Sequence, residues 1–466
     1  MTNRPKSIDD TPRIFIDDTL IATSSGVARR AHPCRKRPAP VLEPQEPWET
    51  QRVYIYGTVR YDPHSGRFRM WYMSRGVPPE KRDKRLTHSP ADLVLYATSQ
   101  DGVHWDRPDL GRYAYAGASA NNIVFDLHSP SVILDEADRD PDRRYKMLGC
   151  HRGYRAATSP DGLRWEDVSA DPILNHADTI TLMRDPTAGE YLAFHKINAE
   201  HLGHRRRLVY LSVSRDFRAW SDPQQVMAPD EEDDAWVEHP DQRTEFYNMS
   251  AFPSNGQYLG LVTVFKNARQ IPNPAPDQSP SDGPIDVQLV HSRDGRVWQR
   301  CQDRTPVIPN GPSAFDRGCI LGVCNTPVVH GDETWVYYTA VNTTHGGAMP
   351  EKRITIGRAE WRRDGFVSLR AGNRAGVVET PALRLSGNRL IVNANASGGR
   401  LAIEALSENS APIPGYTADN CIPLRADSLS HPVKWKAHDR LQINRPLRLR
   451  FHMKNTDLYA FSCTPA

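Results

Sequence analysis

Ser99-Gln-Asp-Gly-Val-His-Trp105 recurs three more times along the chain, as Ser159-Pro-Asp-Gly-Leu-Arg-Trp165, Ser214-Arg-Asp-Phe-Arg-Ala-Trp220 and Ser292-Arg-Asp-Gly-Arg-Val-Trp298. Alternating apolar stretches precede three of the copies, at residues 93–98, 208–213 and 285–290. That period belongs to a strand with one buried face. Asp-Gly marks a tight turn, in which the Asp side chain bonds nearby backbone and Gly accepts a positive φ. The Trp then folds back as an apolar plug between neighbouring sheets. A spacing of roughly 55–80 residues fits one propeller blade with its insertions. The boxes therefore describe scaffold, and the chemistry lies elsewhere.

A second repeat runs ahead of the boxes, at residues 59–72, 133–148, 182–194, 251–262 and 328–338. Each copy predicts a strand, a turn rich in Asp, Pro or Gly, and a second strand carrying aromatics. Four of these hairpins lead to a box, and the fifth leads to the strand Ile354-Thr-Ile-Gly-Arg-Ala-Glu-Trp361. Five such units predict an all-β, five-bladed β-propeller. From about Gly365 the boxes stop, and short alternating segments at 389–393, 400–405 and 447–453 predict a small β-sandwich. The expected division is a propeller over residues 1–364, with segment 1–48 closing the ring or covering its face, and a sandwich over residues 365–466.

The 466 residues are 38% hydrophobic and 25% charged, enough apolar material for real cores. The 59 basic and 56 acidic side chains nearly cancel, which argues against a nucleic-acid binder built on phosphate contacts. Two short basic runs stand out, Arg29-Arg30 with Arg35-Lys36-Arg37, and His204-Arg-Arg-Arg207. They read as solvated loops or, more sharply, as the rim of a site for an anionic substrate. No apolar run reaches membrane-spanning length, and the polar N-terminus carries no signal-peptide core. The seven scattered cysteines lack zinc spacing and fit reduced thiols. A cytoplasmic location without membrane or nucleic-acid partners is the expectation; the oligomeric state is not legible.

In a propeller the residues just before each inner strand converge on a central funnel. Here they supply Trp48 and Glu49, then Asp126 and His128, then Asp178, then Glu238, Arg243, Glu245, Tyr247 and Asn248, and finally Asn325. Several converging carboxylates suit glycosidic-bond cleavage, which needs one acid kept protonated and another ionised. Trp48 and Tyr247 offer stacking faces to a sugar. His128, His151-Arg152 and His195-Lys196 are polar pairs at blade positions suited to sugar hydroxyls or a substrate carboxylate, and His345-Gly-Gly347 reads as a loop over the face.

The stretches Pro47-Trp48-Glu49, Arg67-Phe-Arg-Met-Trp-Tyr72, Asp140-Pro-Asp-Arg-Arg-Tyr-Lys-Met147 and Glu245-Phe-Tyr-Asn248, taken with the boxes, carry a resemblance. The chain resembles five-bladed glycoside hydrolases of the invertase, fructanase and arabinanase families (32, 43 and 68), most nearly a bacterial group of uncharacterised glycosidase-like propellers. The resemblance implies three acids. Asp178 falls near the family's stabilising Asp. Glu245 falls within two residues of its general acid, with Glu238 as second choice. Glu49 is the nearest carboxylate for the base or nucleophile, with Asp126 as rival. Arg184-Asp185-Pro186 looks like the family's Arg-Asp-Pro string, but it sits in register with the hairpin turns and is read as a turn. The implied function is hydrolysis of a small furanoside or related oligosaccharide, with no organic cofactor and no metal ligand; a structural Ca²⁺ has no support in the sequence. Two alternatives stand beside it. A sialidase-like hydrolase would draw on Arg152, Arg155 and Arg243 for a substrate carboxylate. A non-catalytic carbohydrate-binding propeller would be favoured by acids neutralised by arginines.

Overall fold

The computed structural model describes residues 5–176 and 178–465. Strand accounts for 49% of the chain and helix for 3%, so the fold is all-β. Among the described residues no helix is long and apolar enough to cross a membrane.

Five antiparallel groups of strands follow one another along the chain. The first comprises Val53–Asp62, Arg67–Arg75, Asp92–Ser99 and Ile123–Phe125, and the second His128–Leu134, Tyr145–Cys150, Tyr154–Ser159 and Glu166–Asp167. The third comprises Ile180–Arg184, Tyr191–His201, His204–Ser214 and Gln224–Met227. The fourth, Arg243–Ser254, Gln257–Asn267, Ile285–Ser292 and Trp298–Arg300, joins the fifth through the single parallel pair Ile285/Cys319. In the fifth, Cys319–Val323 is followed by Glu333–Val341 and Ile354–Arg362, and the N-terminal strand Arg35–Lys36 adds to its edge.

The innermost strands contact one another in a closed cycle. Thr58 Oγ1 donates to the Val132 carbonyl at 2.5 Å, and the Leu182 N–H donates to Ser131 Oγ at 2.9 Å. Thr181 Oγ1 reaches the Met249 carbonyl at 2.5 Å and Ser250 Oγ the Val323 carbonyl at 2.9 Å. Thr339 Oγ1 returns to the Ile55 carbonyl at 2.9 Å. Four small hydroxyl side chains and one backbone N–H make these links, the closing one from Thr339 on the fifth group's second strand, Glu333–Val341. They also satisfy backbone groups that water does not reach.

The four boxes share one local structure. In each, the Ser Oγ accepts the N–H three residues on (Gly102, Gly162, Phe217 and Gly295), and the Asp Oδ1 accepts the two following N–H groups. Glycine is required at Gly162, where φ is +77° and a Cβ would come within 2.6 Å of the Trp71 ring. The freed carbonyl there accepts the Trp71 indole N–H at 2.7 Å, locking the second group onto the first. Gly102 does the same for the Tyr337 hydroxyl, locking the first group onto the fifth.

Beyond residue 365, two further antiparallel sheets share one apolar core that includes Val392, Leu401, Phe451 and Phe461. The N-terminal segment divides differently from expectation. Lys6–Ile8, Arg13–Ile14, Thr23–Ser25 and Ala28–Ala31 all pair with C-terminal strands, and Phe15 is buried against Phe451 and Phe461. Arg35–Lys36 pairs with the fifth group, and Leu42 bridges Ile356 there. Apolar burial of Ile8, Phe15 and Leu20 draws this stretch to the C-terminal core rather than across the ring.

Candidate functional site

At the hub of the five groups lies a cavity of about 320 Å³. Inner strands bulge where they line it. Pairing registers shift at Tyr247, across Tyr54 to Thr58, and between Ile320 and Gly322. A bulge re-aims side chains, and Tyr56, Tyr247 and Leu321 face the cavity from these positions. Tyr54 and Tyr56 stack with ring centres 6.2 Å apart.

Asp178, just ahead of Ile180–Arg184, opens on the cavity with its side chain 39% exposed. Its carboxylate takes the Lys196 ammonium at 2.5 Å and the Thr179 N–H at 2.8 Å. Crowding by protein atoms pushes its pKa up, but Lys196, His128 and the Thr179 N–H outweigh this and hold it below the usual value. Burial depresses the pKa of Lys196 despite the attraction of Asp178. Lys196 Nζ also sits 4.7 Å from the centre of the Tyr247 ring. His128 and His345 line the cavity too, and burial drives the His345 imidazole down to about 3, so it is neutral.

Glu245 has the expected register but does not open on the cavity. It is 1% exposed, bonded by Arg207, by Arg243 at 2.8 Å and by the Asn267 amide at 2.9 Å. Burial raises its pKa, yet Arg207, Asn267 and Arg243 together hold it below normal. A carboxylate so held is a poor proton donor, which corrects its assignment as general acid. Arg243 is accordingly engaged by Glu245.

Glu49 is also displaced from the expected role. It is fully buried in the turn Pro47–Glu49, accepting the Gln45 and Glu46 N–H groups, the Tyr72 hydroxyl and the Arg107 guanidinium at 2.7 Å. Trp48 beside it packs on Tyr115 and donates to Asn122, so it is a packing residue. Asp126 is held by Arg82 at 3.0 Å and by His88 at 2.9 Å. His151 and Arg152 line a separate surface cleft with Arg82 and His88. His195 is buried against Tyr154 and Ser212. Glu238 lies on an exposed loop. Asn248 is buried beside the Tyr247 bulge, its carbonyl accepting Thr263 Oγ1. Asn325 straps the hub, donating to Ser131, Val132 and Leu182.

The sequence reading missed Arg52, Arg75, Tyr54, Tyr56 and Lys352 as cavity residues, along with Asp277 on the loop before Ser281–Asp282. Arg207 belongs to the basic run already noted at 204–207, the one advance signal among them. Five cationic side chains, Arg52, Arg75, Lys196, Arg207 and Lys352, thus face two carboxylates, Asp178 and Asp277. Among the described residues, no group of three or more His, Cys, Asp or Glu side chains is placed to hold a metal ion.

No family model matches the chain. Over 110 residues, 23% of its length, it is 34% identical to uncharacterised proteins of Mycobacterium tuberculosis strains CDC 1551 / Oshkosh and ATCC 25618 / H37Rv. It spans 32% of the length of each of these relatives. Among solved structures it is similar to a glycosyl hydrolase from Bacteroides ovatus (TM-score 0.45, 13% identity, covering 72% of this chain and 94% of that one). It is also similar to an alpha-L-arabinofuranosidase from Podospora anserina in complex with cellotriose (TM-score 0.44, 11% identity, 71% and 98%).

Proposed function

We propose that the five groups form a five-bladed propeller backed by a C-terminal β-sandwich, and that the hub cavity hydrolyses the glycosidic bond of a small sugar. The observation that carries this reading is Asp178: of the acids picked out by register, it alone opens on the cavity, and Lys196 keeps it ionised. An ionised carboxylate beside the anomeric carbon stabilises oxocarbenium-like charge or takes the proton of the attacking water. Lys196, paired with Asp178 at 2.5 Å, holds that carboxylate in place and lies too close to it to act as a separate proton donor on the other side of the glycosidic bond. Tyr56 and Tyr247 supply stacking faces. A cavity of about 320 Å³ is near the small end of ligand sites and suits a mono- or disaccharide.

One observation favours a second reading, a non-catalytic carbohydrate-binding propeller: Glu49 and Glu245 are both locked in ion pairs. A panel of nitrophenyl furanosides and pyranosides separates the two. Under the hydrolase reading one glycoside is turned over, and Asp178→Asn lowers that rate by about a hundredfold or more while the protein stays folded. Sugar binding without turnover on any glycoside supports the binding module instead.

A further inference from the structure

The cavity has two unlike walls. Asp178, Lys196 and Arg207 come from the third group, and Tyr247 from the fourth. Across the hub, the first and fifth groups contribute Arg52, Arg75, Tyr54 and Lys352. Arg52 immediately precedes Val53–Asp62, Arg75 ends Arg67–Arg75, and Lys352 immediately precedes Arg353 and Ile354–Arg362. The bridge between Arg52 and Ile354 brings these three cations to one place.

Two of the three, Arg75 and Lys352, lack a close counter-charge. Lys352 is buried, donates to the His345 carbonyl at 2.6 Å, and has no carboxylate within ion-pair distance among the described residues. The nearest carboxylate to Arg75 is Asp92, at 4.0 Å, and the Arg75 side chain remains 47% exposed. Arg52 is engaged at 3.0 Å by Asp277, on a loop whose Gln278 and Ser279 also line the cavity. That loop carboxylate displays what the wall accepts: an oxyanion on a guanidinium. The Tyr54 hydroxyl adds a further polar group beside Arg52 and Arg75. Such a cluster of charge-assisted donors in a partly enclosed site is built for an anion rather than for neutral hydroxyls, which need acceptors as well as donors.

We infer that the Arg52–Arg75–Lys352 wall binds the oxyanion of a charged sugar, a carboxylate, sulfate or phosphate on the ring, and so orients its glycosidic bond toward Asp178. This rests on the reading that the cavity takes a glycoside. The stacked Tyr54–Tyr56 pair lines the same cavity and offers the ring an apolar surface.

The full chain is titrated calorimetrically with methyl β-glucuronide, glucose 6-phosphate, glucose 6-sulfate, methyl β-glucoside and inorganic phosphate, at low and high salt. At least one charged sugar binds about tenfold or more tighter than the neutral glucoside, and the advantage shrinks with salt. Arg75→Gln, at a half-exposed side chain that folding tolerates, and Lys352→Met bring the ratio of charged to neutral affinity down to about one. Equal affinity for charged and neutral sugars overturns the inference, as does inorganic phosphate binding as tightly as any charged sugar. Nitrophenyl glucuronide and glucoside are assayed in parallel. Preferential turnover of the neutral glycoside sinks the anionic class and leaves the hydrolase reading standing. Charged sugar bound without turnover sinks hydrolysis and leaves the anion wall standing. No sugar bound at all overturns both.

Discussion

Glu245→Gln separates a structural ion pair from a catalytic acid. The carboxylate sits 1% exposed between two guanidiniums whose side chains are 18% and 17% exposed. At the 2.8 Å separation from Arg243 and an effective dielectric of about 20, each such contact carries roughly 6 kcal/mol of attraction before desolvation is subtracted. Gln keeps the shape and one acceptor oxygen but removes the charge, leaving Arg207 and Arg243 facing each other. Breaking a buried pair this way costs about 3–5 kcal/mol. Because Gln still accepts one guanidinium bond, we expect about 3 kcal/mol, read as a lower urea midpoint by tryptophan fluorescence. The double variant Glu245→Gln/Arg207→Gln recovers part of the loss, with a coupling of about 2 kcal/mol.

The pH dependence has a definite sign. The folded pKa of Glu245 lies below its unfolded value of 4.5. Its contribution to stability is therefore complete above about 4.5 and fades as pH falls through the depressed folded value. Glu245→Gln should flatten that acid limb. A variant as stable as the parent refutes the ion-pair reasoning. A variant of unchanged stability that has also lost turnover would restore Glu245 as the general acid.

Glu49→Gln should lose about 2–4 kcal/mol of stability, because Arg107 at 2.7 Å loses its counter-charge in a fully buried turn; turnover by the folded fraction stays unchanged, and loss of turnover in a well-folded variant refutes the structural role. His88 joins Asp126 and Asp167, and these two carboxylates raise its pKa from 6.5 to about 9. The folded value being higher, this clamp contributes about 3 kcal/mol below pH 6.5 and loses it as pH rises through about 9. Urea midpoints of the parent and His88→Gln should converge across that window, and a constant gap would contradict the clamp.

The boxes were legible because all their bonds are local. Ser, Asp and the residue at positive φ lie within four positions, so spacing alone encodes the turn, and even Phe217, at φ +64°, keeps the pattern. The N-terminal strands were not legible, because runs of two to four residues such as Arg13–Ile14 carry no periodicity. Their place is chosen by Phe15 finding a distant core. Glu49 is an intermediate case. Pro47 and the paired Glu46 and Glu49 are local signs of a capped turn, but Arg107 arrives from the insertion after the first box and has no local sign at all.

Register picked out both Asp178 and Glu245 and could not tell them apart, since Arg243 is only half of the clamp on Glu245 and the other half, Arg207, lies 38 positions earlier in the chain. The reason Arg207 reaches that place also explains why most of the cavity's cations escaped notice. The third group's inner strand begins at Ile180, which pairs with His195, but the hairpin beyond it continues through Lys196 to His201 and returns from His204 to Val209. This overshoot has no inner strand of its own group beside it and packs instead on the fourth group's Arg243–Ser254, where Arg207 meets Glu245, while Lys196 and Arg207 both line the cavity. Arg75 likewise comes from a second strand, one residue beyond the register pair Val53/Ser74. A rule that looks for function only ahead of each first strand therefore reaches Asp178 and passes over Lys196, Arg207 and Arg75, which come from later strands of their groups. In this molecule the counter-charges mark the difference between Glu245, enclosed by two guanidiniums, and Asp178, which opens on the cavity.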